Sequence, residues 1–176
     1  MNPSRDRIVP MLTEVQIQAR VHELGTQITS DYAGKDVVVV GLLNGVYPFF
    51  ADLTRSIALD FDVGFMQVAS YHGGTESTGE VKIVKDLDSP IQGRHCLVME
   101  DIVDTGTTLF KVRNLLLDRG PLSLKVCTLL DKPSRRKTQV PVDYIGFTIE
   151  DRFVVGYGLD LDGKFRNLPF VGIYQP

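Results

Sequence analysis

A basic surplus, a membrane-length apolar run and an abundance of cysteine are all missing from this 176-residue chain. Its 19 lysines and arginines are outnumbered by 22 aspartates and glutamates, for a formal charge of −3. That balance argues against a protein built to hold nucleic acid, which ordinarily carries a basic excess. No stretch reaches the roughly 18 apolar residues of a membrane span, and the first ten residues carry charges where a signal peptide needs an apolar segment. No membrane partner and a cytoplasmic location are expected. The two cysteines, Cys96 and Cys127, each sit inside an apolar run, where a thiol behaves as a small hydrophobe. Repeats, linkers and low-complexity segments are absent too. What remains, 43% hydrophobic and 23% charged residues, is the composition of one compact globular unit.

The patterning of that unit alternates. Thr13 followed by Gln16 reads as a capping box, and Ile17, Val21, Leu24 and Ile28 recur at helical spacing up to Asp31. Val37 to Val40 is a β-branched run ended by Gly41, suited to a strand buried on both faces of a parallel sheet. A helix is expected from about Pro48 to Ser56, with strands at 63–70, 81–85, 96–99 and 124–130. The glycine-rich segment 71–80 is expected to be mobile. Leu109, Val112, Leu115 and Leu116 mark a helix stopped by Gly120 and Pro121. Beyond Pro141 only short strands, 143–149 and 153–157, and an irregular tail are expected. This alternation predicts an α/β parallel sheet flanked by helices, with the later strands forming a cap.

In such a sheet ligands bind beyond the carboxyl ends of the strands. The most informative stretch is Leu97-Val98-Met99-Glu100-Asp101-Ile102-Val103-Asp104-Thr105-Gly106-Thr107-Thr108. Two adjacent carboxylates at a strand end offer hard oxygens to magnesium or to vicinal hydroxyls. In the loop that follows, Gly106 lets backbone approach a ligand closely, and the hydroxyls of Thr105, Thr107 and Thr108 with the amides of the next helix can surround a phosphate. No lysine follows the glycine and the Walker spacing is absent, which disfavours a nucleoside triphosphatase and favours a monophosphate.

This stretch resembles the phosphoribosyl pyrophosphate signature of the type I phosphoribosyltransferases. Val40-Gly41-Leu42-Leu43-Asn44-Gly45, Ser70-Tyr71, Leu129-Leu130-Asp131-Lys132, Phe153 to Asp160 and Phe165-Arg166-Asn167-Leu168 extend the resemblance to the hypoxanthine-guanine branch over nearly all the chain from Val37 onward. The resemblance implies one domain, residues 1–176, with a core at about 37–142 and a small hood from 143–176 and N-terminal residues. It implies purine salvage: transfer of the phosphoribosyl group to N9 of hypoxanthine or guanine, with Mg2+, by a homodimer or homotetramer.

The implied roles are specific. Asp104 to Thr108 hold the 5′-phosphate, and Asp104 also faces the purine N7 as the catalytic acid-base group. Glu100 and Asp101 act on the ribose hydroxyls and their magnesium. Lys132 donates to the exocyclic O6 and so selects oxopurines over adenine. Phe153 stacks on the purine, and the backbone of Val154 reads its edge. Asp160, at the purine side, ligates a magnesium shared with pyrophosphate. Leu43, Asn44 and Gly45 offer backbone amides to pyrophosphate, Arg166 neutralises it, and Ser70 and Tyr71 form a lid.

The sequence departs from the family in the first pyrophosphate loop. Asn44 stands where many relatives have lysine, and Val46 occupies the second of two small positions. A loop acting through its backbone, with a strained or cis peptide at Leu43-Asn44, tolerates the change; a loop needing the lysine charge does not. Two alternatives accompany this reading: a xanthine-preferring transferase, and a regulator that senses phosphoribosyl pyrophosphate and binds nucleic acid. The second requires a basic face, and only Arg135-Arg136-Lys137 is locally basic.

Overall fold

The computed structural model describes residues 4–70 and 81–175. A short N-terminal strand, β1 (Ile8–Leu12), leads into helix α1 (Glu14–Asp31). Thr13 caps α1 as its spacing predicts: its hydroxyl accepts from the Gln16 amide at 3.3 Å, and its own amide donates to Gln16 Oε1 at 2.8 Å. Strand β2 (Val37–Leu43), helix α2 (Tyr47–Ser56), and strands β3 (Asp62–Ser70), β4 (Val81–Lys85) and β5 (His95–Val103) follow. Helix α3 (Thr107–Leu117), then β6 (Ser123–Asp131), β7 (Tyr144–Thr148), β8 (Val154–Val155) and β9 (Val171–Tyr174) complete the chain.

Six strands form one sheet in the order β4-β3-β2-β5-β6-β7, parallel except for the antiparallel edge strand β4. The β-branched run in β2 divides by alternation. Val37 and Val39 pack on one face with Ile17, Leu24, Phe49 and Leu53 of α1 and α2. Val38 and Val40 pack on the other with Leu109, Val112 and Leu116 of α3. Both faces are covered, which explains why this strand carries no polar residue. Cys96 and Cys127 are buried and unpaired, one on each face.

Three boundaries differ from expectation. β2 runs through Gly41 to Leu43, held by its ladder to β3, and the glycine is there because a side chain at position 41 would press on the rings of Phe50 and Phe65, at 2.8 and 3.0 Å. β5 likewise continues through Glu100 and Asp101 to Val103, so the two carboxylates lie within the strand and not after it. The segment expected to begin the cap is instead core: β7 pairs in parallel with β6 from Cys127↔Tyr144 to Asp131↔Thr148. The second sheet, order β1-β9-β8, is small and antiparallel, and it joins the first strand of the chain to the last two. The tail expected to be irregular therefore contains its central strand. Neither β1 nor β9 was legible, since each is short and gains its ladder from a partner more than 150 positions away.

Candidate active site

The carboxyl ends of β2, β5 and β6 point the same way, and the loops that leave them meet there. Glu100 and Asp101 occupy adjacent positions near the end of β5, both only partly exposed. The Asp101 amide donates to Glu100 Oε1 at 3.2 Å, and the Ile102 amide donates to Asp101 Oδ1 at 2.7 Å. Burial raises the Glu100 carboxyl well above the usual carboxylate range, and the neighbouring Asp101 charge raises it further. Burial raises Asp101 as well, opposed in part by the positive charge of Arg166.

Five residues beyond Asp101, the chain turns into α3 through Gly106, whose φ of +79° is the left-handed conformation glycine adopts freely. A side chain there would overlap the Thr138 carbonyl and lie 2.9 Å from Arg136 Cδ. Gly106 offers α3 no side-chain cap, and while the Thr107 amide donates to Thr105 Oγ1 at 3.4 Å, the positive end of the helix dipole is left for a ligand. It borders a pocket of about 120 Å3 lined by Glu100, Asp104, Thr105, Gly106 and Thr108. This is an anion-binding geometry. The segment after β6 braces it: the amides of Lys137 and Thr138 donate to the Thr105 carbonyl at 2.9 and 3.1 Å, and the Thr107 and Thr138 hydroxyls lie 3.1 Å apart.

A second group of residues meets beside Asp101. The loop after β2 contains a cis peptide between Leu43 and Asn44. A side chain on Gly45 would overlap Asp101 Oδ2, and one on Gly158 would overlap the Gly45 carbonyl, so the backbones of these two loops touch each other and the carboxylate. Arg166 closes the cluster, with Nη1 donating to the Gly158 carbonyl at 2.6 Å and Nη2 paired to Asp160 Oδ1 at 2.8 Å. Asp160 Oδ2 accepts in turn from the Gly163 amide at 2.7 Å. A cavity of about 410 Å3 beside Arg166 is lined by Arg5, Tyr47, Lys164 and Asn167. The family's two small loop positions are not equivalent here: Gly45 must be small, whereas Val46 is fully buried in the core below α2. Asn44 is exposed.

The third group surrounds Lys132, the residue after β6, which is only 6% exposed. Its ammonium donates to the Arg152 carbonyl at 2.5 Å and lies 4.0 Å from Asp151, which places it beside the stem of Phe153. Phe153 is 53% exposed and meets Tyr174 edge to face, with ring centroids 6.5 Å apart. Val154 is buried in β8, paired to Ile173. Arg135 ties this group to the phosphate loop, with Nε 3.2 Å from Asp104 Oδ1 and Nη1 3.7 Å from Asp151. Arg136 donates to the Asp104 carbonyl at 2.8 Å and pairs with the buried Asp131. Of the expected lid, Ser70 ends β3 opposite Val81, and Tyr71 lies outside the described residues, as does the segment 71–80.

Apart from Ser70 and Tyr71, the expected residues therefore gather at the carboxyl edge of the sheet as three adjoining groups. Arg135, Arg136 and Thr138 were missed by sequence reading, which takes a basic run after a strand as a solvated loop; its position directly behind Lys132 was the available signal. Among the described residues no three acidic, imidazole or thiol groups converge as a ready metal cage.

A parallel sheet with an acidic strand end, a glycine-started anion loop and an arginine acting on the acidic pair fits a transferase acting on a phosphorylated sugar. Residues 12–162 match the phosphoribosyl transferase domain, and the chain belongs to that family. It is 52% identical over 164 residues to the hypoxanthine phosphoribosyltransferase of Escherichia coli strain K12, with 92% of each chain covered. It is 51% identical over 166 residues to the hypoxanthine-guanine phosphoribosyltransferase of Staphylococcus aureus strain Mu50, covering 94% of this chain and 93% of that one. A crystal structure of a hypoxanthine phosphoribosyltransferase from Staphylococcus aureus has the same fold, with a TM-score of 0.94 and 49% identity over 97% of this chain and 94% of that one. Relatives that are enzymes throughout the chain's length do not favour a nucleic-acid-binding regulator. No helix among the described residues is long and apolar enough to cross a membrane.

Proposed function

We propose that this protein salvages 6-oxopurines, joining N9 of hypoxanthine, and of guanine, to C1 of phosphoribosyl pyrophosphate and releasing pyrophosphate. The observation that carries the reading is the glycine-started helix α3 that follows the strand of the Glu100–Asp101 pair, with the Arg166 charge acting on Asp101. Thr105 to Thr108 hold the 5′-phosphate on the amides and hydroxyls of the loop. Glu100 and Asp101 face the ribose hydroxyls. Asp104 takes the proton that leaves the base, and its pairing with Arg135 holds the carboxylate at the loop mouth. Lys132, fixed by the Arg152 carbonyl, donates to the exocyclic oxygen, and an amino group in that place cannot accept. Phe153 stacks on the ring, while the Val154 backbone meets its edge. The loop Leu43-Asn44-Gly45 and Arg166 hold the leaving pyrophosphate.

The donor set fits magnesium. Two carboxylates side by side, each raised by burial and offset only in part by the Arg166 charge, have room for a cation, and one or two carboxylates completed by phosphate oxygens and water are what magnesium accepts. Glu100 and Asp101 would hold one ion and Asp160 a second. A bound ion would supply neutralisation of pyrophosphate charge there. Ser70 and Tyr71 would close the site against water. The small sheet β1-β9-β8 acts as the hood of a single domain, the protein works in the cytoplasm, and it assembles as a homodimer or homotetramer, which sedimentation checks.

The test is nucleotide formation from phosphoribosyl pyrophosphate, magnesium and each of hypoxanthine, guanine, xanthine and adenine, with Asp104→Asn alongside. Magnesium-dependent IMP or GMP, lost steeply in the variant, supports the reading. Tight binding of phosphoribosyl pyrophosphate with no nucleotide from any base sinks it, and a preference for xanthine would move the substrate assignment.

A further inference from the structure

Three successive residues, Gly156, Tyr157 and Gly158, have positive φ of 97°, 47° and 99°. Two of them are glycines. The middle one is a tyrosine, for which the left-handed region is unfavourable, so its surroundings must hold it there. Its backbone amide donates to the Leu168 carbonyl at 2.9 Å, and its ring is buried with the core beneath α1 and α2. The hydroxyl donates to Asp52 Oδ2 at 2.6 Å, on the helix that begins directly after the loop Leu43–Val46.

Asp52 is built as an acceptor. Burial alone would raise its carboxyl, but hydrogen bonds from Tyr157, Gln18 and Arg55 outweigh burial and hold it below the usual range. Gln18 Nε2 donates to the same oxygen at 2.7 Å, and Arg55 pairs with the other at 2.5 Å. A second hydroxyl crosses the same gap in the other direction, Tyr47 to the Arg166 carbonyl at 3.3 Å. The Gly158 amide also donates to that carbonyl, at 2.9 Å, while its own carbonyl receives Arg166 Nη1. Helix α2 and the segment 157–166 are thus held at a set spacing on both sides of the contact between Gly45 and Gly158.

We propose that the Tyr157–Asp52 hydrogen bond is a positioning clamp that sets the spacing between the loop Leu43–Gly45 and Arg166, and so the affinity for the pyrophosphate group of the sugar substrate. The inference rests on the pyrophosphate role given above to that loop and to Arg166. Tyr157 and Asp52 touch no substrate. They act through Gly158, whose two backbone groups both engage Arg166. The purine side has supports of its own: Val154 and Val155 are held by their ladder to β9, and the Lys132 amide donates to the Val103 carbonyl at the end of β5, at 3.0 Å.

The clamp is tested with Tyr157→Phe, Asp52→Ala and the double variant, in the full chain. Calorimetric titration with magnesium pyrophosphate and with phosphoribosyl pyrophosphate reads it without requiring turnover. Each single change weakens both ligands about 3- to 10-fold, and the double variant is no weaker than the worse single, as expected for one shared interaction. In the nucleotide-forming assay KM for phosphoribosyl pyrophosphate rises in step while KM for the base stays within about twofold. Asp52→Asn, which keeps an acceptor for the hydroxyl, restores most of the loss. Unchanged pyrophosphate affinity in Tyr157→Phe overturns the clamp, and so does a uniform fall in affinity for both substrates that tracks a fall in melting temperature. A wild-type protein that binds pyrophosphate but makes no nucleotide refutes the transfer reaction alone, and the titrations still decide the clamp.

Discussion

Gly45→Ala adds one methyl group at the most crowded point of the site. The new Cβ would overlap Asp101 Oδ2 and lie 2.8 Å from its Cγ, inside the 3.0 Å that real Cβ contacts respect. Rotating Asp101 away is obstructed, because its Oδ1 already accepts from the Ile102 amide at 2.7 Å. Moving the loop is obstructed by Gly158, whose backbone lies against the Gly45 carbonyl. One of the two must nevertheless yield by on the order of 1 Å, a displacement that costs about 10²-fold in rate when it falls on groups that orient substrate. That loss corresponds to about 2.7 kcal/mol of transition-state stabilisation. The local overpacking adds about 1–3 kcal/mol of lost stability. Initial rates of nucleotide formation should show the loss mainly in kcat/KM for phosphoribosyl pyrophosphate, with the base KM little moved, and thermal denaturation should show a melting temperature lowered by several degrees. A variant within twofold of wild type in kcat/KM, with an unchanged melting temperature, would falsify the claim that Asp101 and Gly45 form one tight surface.

Other perturbations test other parts. Lys132→Met removes an ammonium held by the Arg152 carbonyl; KM for hypoxanthine should rise about 10- to 100-fold, the worth of a charged hydrogen bond, with KM for the sugar substrate little changed, and equal effects on both would contradict the assignment. Asp31 and Asp86 are held below the usual carboxylate range, the first chiefly by the Tyr144 hydroxyl and the second by the Arg119 guanidinium. Groups depressed by folding add stability above their unfolded pKa and lose it as pH falls through the folded value, so the melting temperature should drop below about pH 4, less steeply in Asp31→Asn; an identical slope in the variant would remove Asp31 from the explanation. Burial pushes the Cys96 thiol up to about 12 and Cys127 higher still, and a thiol-specific reagent at neutral pH should therefore label neither until the protein unfolds. Labelling of the native protein within minutes would show that one of the two faces opens.

What could be read from sequence follows from where the forces are local. The α1 cap at Thr13 and Gln16 and the uninterrupted apolar run of β2 announce themselves within a few residues, because capping and double-sided burial act on neighbours. The acidic strand end and its threonine loop were legible for the same reason. The small sheet was not: β1 and β9 are specified by each other, and β8 is only two residues long. Arg135 and Arg136 look like solvated charges until the chain folds Asp104 and Asp131 against them. Tyr157 was likewise seen as part of a motif, while its partner, Asp52, sits 105 positions earlier.

The small sheet also makes two strands depend on a third. Its middle strand, β9, is among the last residues of the chain, and without it β8 has no ladder partner and β1 none either. One strand thus serves two neighbours, and a change that loosens β9 releases the ladder of β1 and that of β8, with Val154, at one stroke.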